Sequence, residues 1–400
     1  MTLFATFCEI IRNSYAEGTV MDFGFSGEQR MLRESVIKFM ERECPREYIR
    51  ELDRRHEAPP GLLRKMGEMG WTAIPFPKAY GGLEGDFIDI AIVLEEMGRN
   101  GFIAASIYNR SVLFGGMSIL TYGNEEQKRD YIPRVCRGEI MFSLALTEPD
   151  AGSDAANVRT TAAPDGDRFI INGVKTWITG ADVADFLVVP CRTDKTLPKN
   201  QGITTFLVDP KSPGVNLREI EKIGNNCVRT YEIFFENVVV PKKNVLGGWN
   251  KGLTNVMKTL KYSRAGMSAS VTGMAQAAVE DALKYAKERI QFGRPIGKFQ
   301  AIRHMLADMQ MEVDASRLMA YRVAWMISRG LPCEREVAMA KLLATETLQR
   351  VSSKGMQILG GYGYSFEFDM QRYFRDGRLY TVGEGTSEIQ RNIIARDMGL

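Results

Sequence analysis

The residue best placed for proton chemistry in this 400-residue chain is Glu384. It stands in Gly383-Glu-Gly-Thr-Ser-Glu-Ile-Gln-Arg391, between two glycines and just ahead of a helical pattern, so its carboxylate is carried on nearly bare backbone. Facing a poorly hydrated cavity, such a carboxylate has a raised pKa and becomes a stronger base toward a carbon acid. Facing solvent, it is a loop glutamate beside Thr386 or Ser387 capping a helix. The only histidines, His56 and His304, lie far apart, which leaves little choice of Ser-His-Asp triad and no His-rich metal site. Chemistry therefore falls to a carboxylate or a bound cofactor, with no metal expected.

Four further stretches carry groups suited to a ligand. Leu144-Ala-Leu-Thr-Glu-Pro-Asp-Ala-Gly-Ser-Asp154 joins a strand end, a proline and two hydroxyls. Backbone N–H groups beside Thr147 and Ser153 can grip phosphate or flavin oxygens there, with a plain β-turn as the competing reading. Trp177-Ile-Thr-Gly180 closes a strand pattern, where Trp177 either covers an aromatic ring system or sits in a core. Arg289-Ile-Gln-Phe-Gly-Arg-Pro-Ile-Gly297 breaks from a long helix into a turn, its arginines able to reach a phosphate or to offset the helix dipole. Met356-Gln-Ile-Leu-Gly-Gly-Tyr-Gly-Tyr364 is a glycine cluster after a helix, without the preceding strand of a Rossmann fingerprint. Its Gly360 and Gly361 either stop the helix or let a ligand approach the backbone.

The elements that must position these stretches follow an α, β, α order. From Met21 to about Arg137 the apolar spacing is helical, with capping boxes at Ser26/Gln29 and Asn124/Gln127 and Asp86 as a further cap. Short runs rich in β-branched and aromatic residues follow at 168–179, 185–192, 202–208 and 231–240, the pattern of an antiparallel barrel. Helical spacing returns at 253–290, 299–328 and 334–359, with a shorter segment at 387–398, which predicts an up-and-down bundle. The expected organisation is α+β: an N-terminal extension (1–20), an α-helical domain (21–139), a middle antiparallel β-barrel domain (140–248) and a C-terminal four-helix-bundle domain (249–400).

Composition excludes several classes. With 44% hydrophobic residues the chain can bury a large core, and 52 basic against 49 acidic residues give a net charge of +3, far from the one-sided balance of a nucleic-acid binder. No stretch reaches the roughly 18 apolar residues needed to span a bilayer. The apolar run Leu3–Phe7 precedes Arg12 rather than following a basic segment, the wrong order for a signal peptide, so residues 1–20 are an extension or the product of an early start codon. Six scattered cysteines without a C-x-x-C pair point to reduced thiols in a cytoplasmic protein.

Taken together, TEPDAGSD, WITG, RIQFGRPI, QILGGYGY and GEGTSEIQR, in that order over residues 21–400, resemble the acyl-CoA dehydrogenase family of FAD enzymes. The resemblance implies that Leu144, Leu146, Thr147, Trp177 and Thr179 contact the flavin, and that Ser153 touches flavin phosphate and the pantetheine of the substrate. It implies that Arg289, Phe292 and Gln300, with Gln357 and Gly361, hold the FAD of a neighbouring subunit in a homotetramer built as a dimer of dimers. Thr386 and Glu388 would also contact the cofactor, Arg264 and Gly385 the substrate. Glu384 matches the catalytic base, removing the α-proton of an acyl-CoA while the β-hydrogen leaves as hydride to flavin N5. A subgroup carries its base immediately before the arginine, a position that is Ser263 here.

The expected floor of the acyl pocket is 102–112, with Ile103, Ile107 and Tyr108 limiting chain length. Three positions depart from common family patterns: Lys261 replaces an acidic residue near the adenine, Glu388 stands where Gln is frequent, and Ala105 matches the arginine by which glutaryl-type members hold a distal carboxylate, with only Arg110 nearby, which disfavours a dicarboxylic substrate without excluding it. The reading is an FAD-dependent dehydrogenase of a short- to medium-sized acyl-CoA, straight, branched or cyclic, passing electrons to an electron-transferring flavoprotein. An enoyl-CoA reductase, an acyl-CoA oxidase and a DNA-binding flavoprotein of the same fold are the alternatives. The last needs a longer C-terminal part and a basic groove.

Overall fold

The computed structural model describes residues 23–400, so the expected N-terminal extension lies outside the described residues. Helices open the chain: α1 (Gly27–Glu43), α2 (Arg46–Arg55), α3 (Leu62–Glu68), α4 (Phe87–Asn100), α5 (Phe102–Tyr108), α6 (Met117–Tyr122) and α7 (Glu125–Cys136). Reciprocal side-chain and backbone hydrogen bonds start α1 at Ser26/Gln29 and α7 at Asn124/Gln127. Asp86 caps α4, and Asp89 completes a capping box that the sequence pattern had only half shown. Between α5 and α6 the chain winds into a π-helix, Asn109–Gly116, whose wider turn is seen in the Met117 N–H donating to the Val112 carbonyl. Such widened turns are rare and turn side chains out of the register that an α-helix would give.

The middle segment forms eight strands: β1 (Phe142–Leu144), β2 (Thr161–Asp165), β3 (Arg168–Thr179), β4 (Phe186–Arg192), β5 (Ile203–Val208), β6 (Val215–Glu219), β7 (Thr230–Pro241) and β8 (Val245–Leu246). Their order is β6-β7-β3-β2-β4-β5-β8, with β1 beside β4. The sheet surrounds its own core of Phe169, Ile171, Leu187, Val189, Phe206, Ile233 and Phe235. It is mixed rather than purely antiparallel, because β1 and β2 each pair with β4 in parallel. β1 enters from the helical domain and is three residues long, too short for alternation to register in the sequence.

The C-terminal part holds α8 (Gly252–Glu288), α9 (Gln300–Ser328), α10 (Glu334–Leu359), α11 (Met370–Tyr380) and α12 (Ser387–Asp397). Between α8 and α9 lies a two-stranded turn, Ile290–Gln291 with Arg294–Pro295. The three long helices pack against one another, and α4 of the first domain lies along α8. α11 was not foreseen because it buries polar side chains, Gln371, Arg372 and Asp376, which erase the apolar periodicity. Its charges find partners across domains: half-buried Arg375 pairs with Asp53 on α2, and buried Asp376 accepts from the Asn225 backbone N–H of the β6–β7 connection. No helix of the described residues is long and apolar enough to cross a membrane, and no group of metal-ligating side chains forms among them.

The α4–α8 crossing is tight because glycines face backbone on both sides. A Cβ at Gly98 would lie 1.9 Å from the Ser270 carbonyl oxygen, and one at Gly273 would lie 1.9 Å from that of Glu95. Gly273→Ala must therefore push the helices apart, and overpacking of this kind costs about 1–3 kcal/mol. We expect Gly273→Ala to lower the thermal unfolding midpoint clearly, while Gly27→Ala, whose Cβ meets nothing within 4 Å, leaves it within about 1 °C. Differential scanning calorimetry of both variants checks this.

Candidate active site

Glu384 sits at φ +55, in the left-handed region, between Gly383 and Gly385. The following helix is capped by Thr386, whose Oγ1 accepts from the Ile389 N–H at 3.3 Å. Three helices hold the loop by its carbonyls. Arg264 Nε of α8 donates to the Glu384 oxygen at 2.9 Å, Lys341 Nζ of α10 donates to that of Gly385 at 2.8 Å, and Gln390 Nε2 of α12 donates to the same Gly385 oxygen at 3.0 Å. Gly385 takes φ +93, a backbone conformation that a residue with a side chain adopts only under strain.

With the backbone fixed, the half-buried Glu384 side chain is directed at two donors. Ser263 Oγ donates to its Oε2 at 2.7 Å, and the Asn109 amide at the start of the π-helix lies close enough to favour its anionic form. Burial raises the Glu384 pKa, while the Ser263 hydrogen bond, the charges of Arg264 and Lys341 and the Asn109 amide pull the other way. Burial wins, and the carboxyl stays above its ordinary value. Lys341 is itself fully buried, and desolvation pushes its amine down to about 8 against the attraction of Glu384. The arrangement is that of a general base: a carboxylate basic through desolvation, yet held anionic by fixed donors.

The β domain brings two of the sequence stretches together. The Thr176 N–H donates to the Thr147 carbonyl at 2.9 Å, placing Leu144, Leu146 and Thr147 beside Trp177 and Thr179. Trp177 takes φ +62 and is 59% exposed, so its indole is a surface face and not part of the core. A buried ion pair organises this segment. Lys175 Nζ reaches Glu148 Oε1 at 2.8 Å and the Leu146 carbonyl at 3.1 Å, while Glu148 also accepts the backbone N–H groups of Arg159 and Thr160. Burial works to raise the Glu148 pKa, but the Lys175 charge and these hydrogen bonds carry it below its usual range. Ser153 is exposed on the same loop.

A second group gathers at the far tip of the helical domain. Arg289 lies 5.7 Å over the Tyr362 ring, next to Gly361, and Phe292 packs edge-on against Phe299. Phe292 is 93% exposed at φ +51, and Gln300, Gln357 and Gly361 are exposed too. Among the described residues, no hydrogen bond, ion pair or ring contact joins this tip to Glu384 or to Trp177, so the two groups form separate surfaces. Glu388 is exposed in the first turn of α12, and Lys261 stacks its amine over Tyr262.

Two residues expected at the substrate also make contacts within the chain. Tyr108 is fully buried and its hydroxyl donates to the Trp71 carbonyl at 3.0 Å, so it is tied into the helical core. The π-helix instead presents the next residue, Asn109, to the base. Arg264, expected at the CoA, spends its Nε on the Glu384 carbonyl. Asn109, Lys341, Gln390, Glu148 and Lys175 were not singled out from sequence. The available signal was a lone lysine in an otherwise apolar helical run, as in Val337-Ala-Met-Ala-Lys-Leu-Leu343.

Comparison with known proteins agrees with this architecture. Residues 26–139 match the acyl-CoA dehydrogenase N-terminal domain, 143–238 its middle domain and 250–399 its C-terminal domain. A probable acyl-CoA dehydrogenase of Bacillus subtilis is 40% identical over 94% of this chain and 100% of its own length. A caffeyl-CoA reductase-Etf complex subunit of Acetobacterium woodii is 39% identical over 93% of this chain and 98% of its own. The butyryl-CoA dehydrogenase structure from Megasphaera elsdenii superposes with a TM-score of 0.91 at 33% identity, covering 95% of this chain and 100% of that one. The chain belongs to the acyl-CoA dehydrogenase family, whose members are FAD-dependent oxidoreductases acting on acyl-CoA.

The Ser263 and Asn109 donors stabilise the anionic form of Glu384, so removing either raises its pKa further. A base works deprotonated, and the rate of substrate-driven flavin reduction should rise with pH through that pKa. In Ser263→Ala or Asn109→Ala we expect this rise to move toward alkaline pH by about one unit, the value of a hydrogen bond to a charged group. Stopped-flow flavin reduction across pH 5.5–9 measures it.

Proposed function

We propose that this protein is an FAD-dependent α,β-dehydrogenase of a short- to medium-sized acyl-CoA, with Glu384 as the base. The observation that carries the reading is the Glu384 loop: a desolvated carboxylate on left-handed backbone, clamped by α8, α10 and α12 and aimed at Ser263 and Asn109. Glu384 takes the α-proton of the thioester. Its own backbone N–H makes no hydrogen bond among the described residues, which leaves it available to the oxygen on which negative charge develops.

The residues fit the cofactor. An outward-facing Trp177 beside Thr147 and Thr179 offers a flat apolar face edged with hydroxyls, and Asn109 Oδ1, Ser387 Oγ and Gln390 Oε1 near the base are buried polar atoms without partners in the chain. Leu144, Leu146, Thr147, Trp177 and Thr179 would hold the ring system, with Ser153 at phosphate and pantetheine and Thr386 and Glu388 beside it. FAD bound there supplies the acceptor for the β-hydrogen. The exposed tip of Arg289, Phe292, Gln300, Gln357 and Gly361 would complete the cofactor site of a neighbouring subunit in a homotetramer, which accounts for Phe292 being left in water. Electrons would pass to an electron-transferring flavoprotein in the cytoplasm, a partner type named in the Acetobacterium relative. That relative is a reductase, and the same Glu384 can return a proton to an enoyl thioester, so the reverse direction is the second reading.

Glu384→Gln keeps the shape and removes the base. We expect it to retain FAD and to reduce flavin about 10²–10⁴-fold more slowly with a saturated acyl-CoA. Wild-type rates in the variant would remove Glu384 from the mechanism. Adding enoyl-CoA to the reduced wild type under anaerobic conditions, and comparing the two rates, assigns the direction.

A further inference from the structure

Asn225, in the connection between β6 and β7, is 8% exposed and takes φ +54, a left-handed conformation that asparagine tolerates better than most residues. All four of its polar groups are engaged. Its N–H donates to Asp376 Oδ1 at 2.6 Å and its Nδ2 to the Asp376 carbonyl at 3.2 Å. Its Oδ1 accepts from the Tyr380 hydroxyl at 2.8 Å, and its carbonyl accepts from Lys222 Nζ at 2.7 Å. All but the last of these bonds go to α11, in the C-terminal helical domain. The two backbones are in contact as well, since a Cβ on Gly224 would lie 2.7 Å from the Arg375 carbonyl carbon. Asp376 is an anion at neutral pH although burial raises its pKa to about 6, and a hydrogen bond to a charged acceptor is the stronger kind.

On either side of Asn225 the contacts lead to one half of the site. In the β domain, the Arg229 carbonyl accepts from the Gly180 N–H at 2.8 Å, and Thr230 and Tyr231 open β7 opposite Thr179 and Ile178, the residues that follow Trp177. In the helical domain, α11 ends at Tyr380, and the Glu384 loop closes back on that end. The Gly383 N–H donates to the Leu379 carbonyl at 2.8 Å and the Ser387 N–H to that of Thr381 at 3.0 Å. Trp177, Asn225 and Glu384 all sit on left-handed backbone, a strain that persists only where the surroundings enforce it and that gathers at functional positions. Arg264, Lys341 and Gln390 clamp the base from the C-terminal helices alone, so its spacing from the strand end of the β domain has to be set by contacts between domains.

We propose that Asn225 is a positioning residue that sets the spacing between the Trp177–Thr179 strand end and the Glu384 loop, so that the α-proton and the β-hydrogen leave one substrate in a single aligned geometry. This rests on the dehydrogenase reading and adds the contact that keeps the two halves of the site in register. Asn225 acts through Asp376 and Tyr380, and it makes no hydrogen bond to Glu384 among the described residues.

The test compares wild type with Asn225→Gly, which permits left-handed backbone and removes the side chain, and with Tyr380→Phe, which keeps the ring and removes the hydroxyl. One readout is anaerobic flavin reduction of the FAD-loaded enzymes by butyryl-CoA and octanoyl-CoA at pH 8, with limiting rate and Kd taken separately. Another is deuterium uptake from D2O into acetyl-CoA, which has α-protons and no β-hydrogen and therefore reports the base alone. The last is amide hydrogen exchange of segments 176–180 and 381–387 by mass spectrometry. We expect each variant to reduce flavin about 10- to 100-fold more slowly at saturation with Kd nearly unchanged, the cost of a misplacement of about 1 Å. Deuterium uptake should stay near wild type, amide exchange should rise in both segments together, and the double variant should fall no further than the slower single one. Wild-type reduction rates in Asn225→Gly overturn the proposal, and so does a loss of deuterium uptake equal to the loss of reduction, because Asn225 would then only support the base loop. Amide exchange that rises around residue 225 alone overturns it too. Should Asn225→Gly fail to fold, Tyr380→Phe decides by the same readouts. If wild type neither reduces flavin nor exchanges the α-protons, the dehydrogenase reading fails, and the joint or separate rise in amide exchange still decides whether Asn225 couples the two segments.

Discussion

In the proposed function the Glu384 carboxylate must be dry enough to be basic and hydrogen-bonded enough to remain an anion, and several distant elements meet at that one residue. The residue occupies left-handed backbone, where a side chain other than glycine is strained, so surrounding groups must hold it there. Those groups come from four elements: Ser263 and Arg264 from α8, Lys341 from α10, Gln390 from α12 and Asn109 from the π-helix. The helical domains therefore have to pack in one register. The glycine contacts at Gly98 and Gly273, which let α4 and α8 cross at backbone distance, are part of what sets it.

The β domain meets a similar requirement with a buried ion pair. Buried ion pairs contribute little net stability, because desolvation offsets attraction, but removing one partner is costly, so they fix geometry. Glu148 and Lys175 fix the segment from Leu144 to Thr147 against β3, which turns Trp177 outward. Every atom of that pair is used within the chain or nearly so. Arg110, whose one hydrogen bond is a long 3.5 Å contact to the Gly180 carbonyl, has no such match.

Much of the architecture is legible in the chain itself. The capping boxes at Ser26 and Asn124 locate helix starts, because a cap is a contact between residues three apart. The long helices at Gly252–Glu288, Gln300–Ser328 and Glu334–Leu359 follow from apolar periodicity. β2, β6 and β8 escaped notice because strands this short carry too little pattern, and α11 escaped because its buried face is charged.

The sequence by itself determined the α, β, α order and the family, and it singled out Glu384 as the candidate base, since each rests on local spacing or on short motifs. Only the tertiary structure decided that Asn109 lies beside Glu384, that Lys341 and Glu148 are buried with partners, and that Arg110 is buried without an ion-pair partner among the described residues. The physical reason is that burial and pairing belong to crossings between distant elements. A π-helix turns its residues out of α-helical register, and whether a charge is matched depends on which strand end or helix it meets, neither of which is written in the spacing of neighbouring residues.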